Sequence, residues 1–505
     1  MARTEDAAVP AAPATAIPLR PSFAKRFGLP LGVAAMAGIL LLPTPEGLPV
    51  AGQRMLGIFA FAVIVWITEA VSYPVSAAAV MTLMAFLLGS APDLADPKAV
   101  MGTTKGLTMA LGGFNSAALG LVGGALFLAA AMMQTGLDRR IALRVLSLIG
   151  ARTRRVLAGI MLVGFILSLF VPSGTARATC VIPIILGIIA ALGVDRKSHF
   201  AGLMMITMAR GEGLWQAGSK TGAAQNMIAL GFIEKTFGRT ITWVDWFLAA
   251  APFTLLMAVA TYYLMVKMMP PEIEEVAGGR QSLADALARL GPMGRDEKKL
   301  LAVSILLLSF WATENVLHPF DTGSTTVAAV ALLLLPGIGV MTWRQAQANI
   351  PWDTLMLFGV SIGLGTALLS TKAAAWLARR IVAGFGLETL GPLAIVAVLA
   401  AFLIVIHLGF ASASALASTM IPIVIATIQG VKTPGLNPVG LTMILQYTVS
   451  FGFILPVNAT QNVLAYGTGT FEARDFIRTG IAQTVIAYAL ILLLSATYWR
   501  WLGLS

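Results

Sequence analysis

Apolar runs separated by short polar turns recur along the chain from residue 29 to residue 502. A bilayer crossing takes about 20 predominantly apolar residues, so these runs read as membrane spans. Spans are expected at residues 29–42, 55–71, 75–89, 111–135 and 243–268, and after a charged gap at 300–317, 325–341, 355–371 and 481–502. Two more crossings are interrupted. One helix resumes near Phe200 and leaves through Ile233 but contains the polar, glycine-rich stretch Gly211 to Asn226, and another starts near Pro438 and breaks at residues 456–462. Unwound backbone at membrane depth is tolerated only against protein or a wet cavity.

The runs 156–192 and 393–429 are each broken by a hydroxylic turn, Ser173-Gly174-Thr175 and Ser412-Ala413-Ser414. Both turns are followed at the same distance by Pro-Ile, in SGTARATCVIPI and SASALASTMIPI. The first arm is apolar for about 15 residues, roughly 22 Å of helix, which is short for a span. A re-entrant hairpin that enters and returns on one side satisfies both arms. The helix restarting after each turn points its positive N-terminal end and its unpaired N–H groups at the turn, which is how an anion site is built. Hydroxylic kinks used for helix packing would explain one such turn, whereas two matched copies point to the midplane site of a carrier.

Other features recur in the same order. Trp66-Ile67-Thr68-Glu69 with Pro74 is matched by Trp311-Ala312-Thr313-Glu314 with Pro319, and Gln225-Asn226 by Gln461-Asn462. Those matches and the two turns are displaced by 245, 236 and 239 positions, so the chain is an internal duplication. Its halves meet in residues 269–299, the most charged section. Eleven transmembrane helices, with two hairpins that do not cross, place the halves in opposite orientation: an all-α polytopic membrane protein with an inverted-topology repeat. The N-terminus is then cytoplasmic and the C-terminus outside.

Composition agrees. Of 505 residues 58% are hydrophobic and 11% charged, well beyond an ordinary globular share. The net charge of +11 fits basic cytoplasmic loops better than nucleic acid, and by this assignment about 21 Lys and Arg lie inside and about 10 outside. The basic segment Arg139 to Arg155 reads as a cytoplasmic amphipathic helix, and residues 1–28, rich in Ala and Pro, as a disordered cytoplasmic tail. The single Cys180 and the scattered His199, His318 and His407 argue against a disulfide framework or a metal cluster. Nor is there a nucleophile with a base beside it or a nucleotide loop, so no enzyme is expected.

Charges near the broken segments are costly unless paired or solvated. Lys220 is read either as a cation facing the substrate or as the partner of Glu212, and Arg177 as a cover for loose carbonyls or a local ion pair. His407 is open between a core residue and a proton carrier, and Trp215 between a cavity wall and packing. The Thr68-Glu69 and Thr313-Glu314 pairs are read as structural bonds at helix ends.

WITEAVSYP, TGLDRRIAL, the two hairpin tips and the polar broken helices resemble those of the divalent anion:sodium symporter family, which contains bacterial dicarboxylate transporters and mammalian citrate and sulfate carriers. The resemblance spans about residues 29–502. It implies a homodimer, in the bacterial inner membrane, whose scaffold regions (29–152 and 300–387) hold transport regions (153–268 and 388–505) that move by an elevator motion. It implies small divalent anions as substrates, C4 dicarboxylates foremost, with sulfate, tricarboxylates or an uncoupled anion channel as alternatives. The family's tips read Ser-Asn-Thr, whose hydroxyls and amides hold carboxylates and contribute to sodium sites. Carried over, the substrate residues are Ser173, Gly174, Thr175, Lys220, Thr221, Asn226, Ser412, Ala413, Ser414, Thr460 and Asn462, with sodium near Ser173, Gly174, Ser412 and Ala413 and no other cofactor. Gly174 and Ala413 stand where the family has Asn, and Ser414 where it has Thr. Each tip thus lacks an amide oxygen, which leaves sodium symport and anion exchange both open.

Overall fold

The computed structural model describes residues 23–150, 152–275, 279–431 and 433–505. Residues 1–22 of the expected tail lie outside the described residues, and the first helix begins at Phe23, ahead of the apolar run at residue 29. The first half comprises α1 (Phe23–Leu41), α2 (Val50–Thr68), α3 (Tyr73–Leu83, prolonged by a π-helical turn at Met84–Leu88), α4 (Thr103–Leu111), α5 (Ala117–Thr135), α6 (Leu137–Ile149), α7 (Thr153–Ser168), α8 (Gly174–Ala191), α9 (His199–Gly218), α10 (Ala224–Phe237) and α11 (Trp243–Met268). Helix α12 (Gly279–Arg289) lies in the charged linker, where the sequence offered no apolar run. The second half comprises α13 (Arg295–Thr313), α14 (Thr322–Leu334), α15 (Trp343–Asn349), α16 (Trp352–Ser370), α17 (Ala373–Phe385), α18 (Pro392–His407), α19 (Ala413–Gly430), α20 (Pro438–Val449), α21 (Thr460–Gly467) and α22 (Ala473–Ala496), closed by the short α23 (Tyr498–Trp501). Among the described residues there is no β-strand, only isolated bridges.

The duplication is visible helix by helix. From α2 and from α13 the same ten-helix order follows, and five pairs have equal lengths: 19 residues in α2 and α13, 19 in α5 and α16, 13 in α6 and α17, 16 in α7 and α18, and 18 in α8 and α19. Among the described residues seven helices are long and apolar enough to cross a membrane, namely α2, α5, α8, α11, α16, α19 and α22. Both α8 and α19, expected as hairpin return arms, belong to this set, so arm length does not by itself mark a hairpin. Each of them starts at a serine-capped turn.

The halves complete each other. Helix α8 packs on α21 of the other half and α19 packs on α10, while α5 packs on α14 and α16 on α3. An apolar helix pair in lipid gains little from hydrophobicity alone, so these contacts depend on close packing of small residues. Gly113 against Gly359, and Gly363 against Ala110, bring backbones together where a Cβ would collide. On the charged face, Arg140 of α6 donates to Glu297 of α13 at 2.6 Å and to the carbonyls of Leu290 and Gly291. That ion pair holds the Glu297 carboxyl below its ordinary range and fixes the linker's end on α6.

Candidate functional site

Four helix N-termini meet at one cavity. The first residues of α8, α10, α19 and α21, which are Gly174, Ala224, Ala413 and Thr460, all line a space of about 520 Å³ between the two halves. The first amides of a helix have no intrahelical acceptor, so each terminus presents free N–H groups and about half a positive charge. Sequence produces these starts locally. Ser173 and Ser412 take extended backbone and cap their helices, each Oγ accepting from the amide three residues on, Ala176 at 3.2 Å and Ala415 at 3.4 Å. A capping oxygen used as acceptor keeps its hydroxyl proton free to donate. At the starts of α10 and α21, Ala223 and Ala459 offer no side chain to cap with, which leaves more N–H groups for a ligand.

The hydroxyls of Thr175, Ser414 and Thr460 also line the cavity and have no partner among the described residues. No Lys, Arg or His of the described residues lines it. Its opposite wall carries Glu69, Tyr73 and Asp353, with the Tyr73 hydroxyl facing Ser412. Glu69, which the sequence suggested was structural, ends α2 in the left-handed region at φ 48°, an uncommon conformation for a residue with a Cβ. Its counterpart Glu314 does behave structurally and accepts from Thr322 Oγ1 at 2.5 Å.

Of the expected substrate residues, Ser173, Gly174, Thr175, Ser412, Ala413, Ser414 and Thr460 are brought together at this cavity. Lys220, Thr221, Asn226 and Asn462 are not. Lys220 Nζ donates to Ile241 O at 2.7 Å and Thr322 Oγ1 at 3.3 Å, and Thr221 accepts from Trp243 Nε1 at 3.2 Å. Asn226 donates to the carbonyls of Gln216 and Ser219, and Asn462 to that of Gly452, so both tie the unwound turns to their own helices. Glu212 pairs with Arg177 rather than Lys220, and Arg177 also covers the carbonyls of Val171 and Gly222. His407 is buried beside Asn458, whose amide caps the carbonyls of His407, Leu408 and Phe410. Trp215 donates to Met161 O and packs on Phe165.

The residues that sequence reasoning passed over are glutamines. Gln216, Gln225 and Gln461 line the cavity at the first tip, 7%, 4% and 4% exposed, with Gln225 Nε2 donating to Gln216 Oε1 at 2.8 Å. A Cβ at Gly174 would collide with Gln216 Nε2 and lie 3.3 Å from Gln461 Oε1. The repeated Gln-Asn pair was the available signal.

Ser173→Ala and Ser412→Ala should each weaken anion binding by about 0.5–3 kcal/mol, the range for a hydrogen bond to a neutral or charged group. Isothermal titration of purified protein with a C4 dicarboxylate checks this, and unchanged affinity in both variants would mean the turns serve packing alone.

The sodium:sulfate symporter transmembrane region, as a family, matches residues 24–505. A protein of Cupriavidus necator described as a membrane protein is 52% identical, over 96% of this chain and 94% of its own length. The citrate/succinate antiporter of Escherichia coli K12 is 28% identical over 91% of this chain and 95% of its own length. A sodium-dependent dicarboxylate transporter of Staphylococcus saprophyticus is 26% identical, covering 92% and 90%.

Proposed function

The chain belongs to the sodium:sulfate symporter family, and from its cavity we propose that it is a secondary carrier of small divalent anions, C4 dicarboxylates foremost, working by exchange. The observation that carries this reading is the convergence of four helix N-termini on a cavity that no cationic side chain lines. At about half a unit each, four termini offer about two units of positive charge, the complement of a dianion. A space of about 520 Å³ has room for a C4 skeleton and for larger tricarboxylates. Sulfate would leave space to spare among the same groups, so it ranks behind.

In this reading eleven helices cross the membrane, the two hairpins do not, and the tips with the broken helices move as one body against α2, α3, α5, α14 and α16. The exposed Thr179 of α8 and Met133 near the α6 end of α5 line the cavity, which on the cytoplasmic reading of α6 makes the conformation inward-facing. The relatives named as an antiporter and as a sodium-dependent transporter keep sodium symport as the second reading. Uptake by proteoliposomes from a panel of succinate, malate, citrate and sulfate tests substrate class: succinate or malate should be taken up fastest, and sulfate alone being carried would overturn the assignment.

A further inference from the structure

The amides at the first tip do something a pure anion site does not need. Four helix N-termini and several hydroxyl protons already supply donors, and carboxylates only accept. Yet Gln216, Gln225 and Gln461 bring amide carbonyls to the same place. One carbonyl, that of Gln216, is used by Gln225; the Gln225 carbonyl and both ends of the Gln461 amide have no partner among the described residues. Whichever way each amide is turned, a chain of three amides joined by one bond leaves donors and at least one acceptor facing the cavity. An acceptor left open on the cavity wall accepts from water or from a donor that the ligand brings, and a ligand without that donor forfeits the bond.

The Gly174 position belongs to the same arrangement. Its backbone does not require glycine, since no left-handed angle occurs there, but its missing Cβ leaves the space that the Gln216 amide fills. Ala413, at the matching position of the second tip, carries a Cβ, so the two tips are chemically different ends of one site.

We propose that the Gln216, Gln225 and Gln461 amides at the first tip form a hydroxyl-reading subsite, which makes the carrier prefer a 2-hydroxydicarboxylate to the same acid without its hydroxyl. The hydroxyl donates to an amide carbonyl while the neighbouring carboxylate accepts from amide N–H and from the α8 terminus. This deepens the carrier reading and rests on it.

L-malate and succinate, which share a skeleton and differ by one hydroxyl, are the probes. In proteoliposomes the wild type should favour malate over succinate by about tenfold or more in apparent affinity, since a site built for a hydroxyl leaves its own polar groups unpaired with the analogue. Gln461→Leu should lower that preference to within about threefold of parity, with malate losing more than succinate. Gly174→Ala, whose Cβ meets the flexible side-chain ends of Gln216 and Gln461 and no backbone, should do the same without removing an amide. Thermal shifts of the detergent-purified variants with each acid give the same ratio where transport is too slow to measure. An equal affinity of the wild type for the two acids, an unchanged ratio in both variants, or variants that alter sodium dependence in place of the ratio would each overturn the proposal. Wild-type protein that carries dianions with no hydroxyl preference defeats this inference alone, whereas protein neither carrying nor stabilised by either acid defeats the carrier reading as well.

Discussion

Proteoliposomes preloaded with succinate take up external dicarboxylate at least about tenfold faster than empty vesicles, and a sodium gradient alters either rate by less than about twofold; this is the result expected if return without a ligand costs the carrier more than about 1.4 kcal/mol. The reason lies in where the positive charge sits. The four termini of α8, α10, α19 and α21 are part of the backbone and cannot leave with the substrate. In the exchange reading a bound dianion compensates the positive helix ends at the cavity of a moving body; empty, those ends would have to pass a low-dielectric barrier without it. Lys220 is not the charge concerned, because its ammonium is bonded to Ile241 O and Thr322 Oγ1 away from the cavity. Both tips lack the asparagine that contributes to sodium sites in the family resembled, which removes one oxygen ligand from each. Saturable stimulation of uptake by sodium into empty vesicles would overturn exchange and favour symport.

Arg177→Ala or Glu212→Ala should each destabilise the protein by about 3–5 kcal/mol, the cost of leaving one member of a buried ion pair alone. The two side chains are 0% and 2% exposed and meet at 2.5 Å between Nε and Oε2. Arg177 also holds Val171 O and Gly222 O, so its loss frees the first tip and the first unwound turn together. The pair is not demanded by the fold. At the matching position of the second half stands Leu416, fully buried, and the second hairpin is held by the amide of Asn458 instead. Replacing both partners at once, as Arg177→Leu with Glu212→Leu, should therefore cost clearly less than either alanine variant. Thermal unfolding of detergent-purified protein, followed by size exclusion, measures all three. A double variant as unstable as the sum of the single ones would show that Arg177 acts through its carbonyl contacts, with the ion pair adding nothing.

Much of this was legible in one dimension. Spans, the duplication, and the two capped turns depend on neighbours in sequence: a run of apolar residues, a serine whose oxygen reaches the amide three residues on, a proline at the tenth position of both α8 and α19. Those are local rules, and with the family resemblance they account for the seven of eleven expected substrate residues that line the cavity. Local reading did worse with the broken helices. It chose Asn226 and Asn462 where Gln225 and Gln461 face the space, and it left Lys220 open between the substrate and Glu212 where neither holds, Arg177 taking Glu212.

The physical reason is rotation. Adjacent residues on a helix point about 100° apart, so of a Gln-Asn pair at a helix start one faces the cavity while the other turns back to the carbonyls of the unwound segment. Which does which depends on how α10 and α21 are set against α19 and α8 of the opposite half, and that setting exists only once both halves have packed. The same holds for Glu69 and Asp353, each unremarkable in its own segment and placed opposite the tips only by the assembled fold. The sequence by itself determined the membrane class, the repeat and the two capped turns; the tertiary structure decided which amides and carboxylates surround them, because that is a matter of contacts between halves separated by more than two hundred residues.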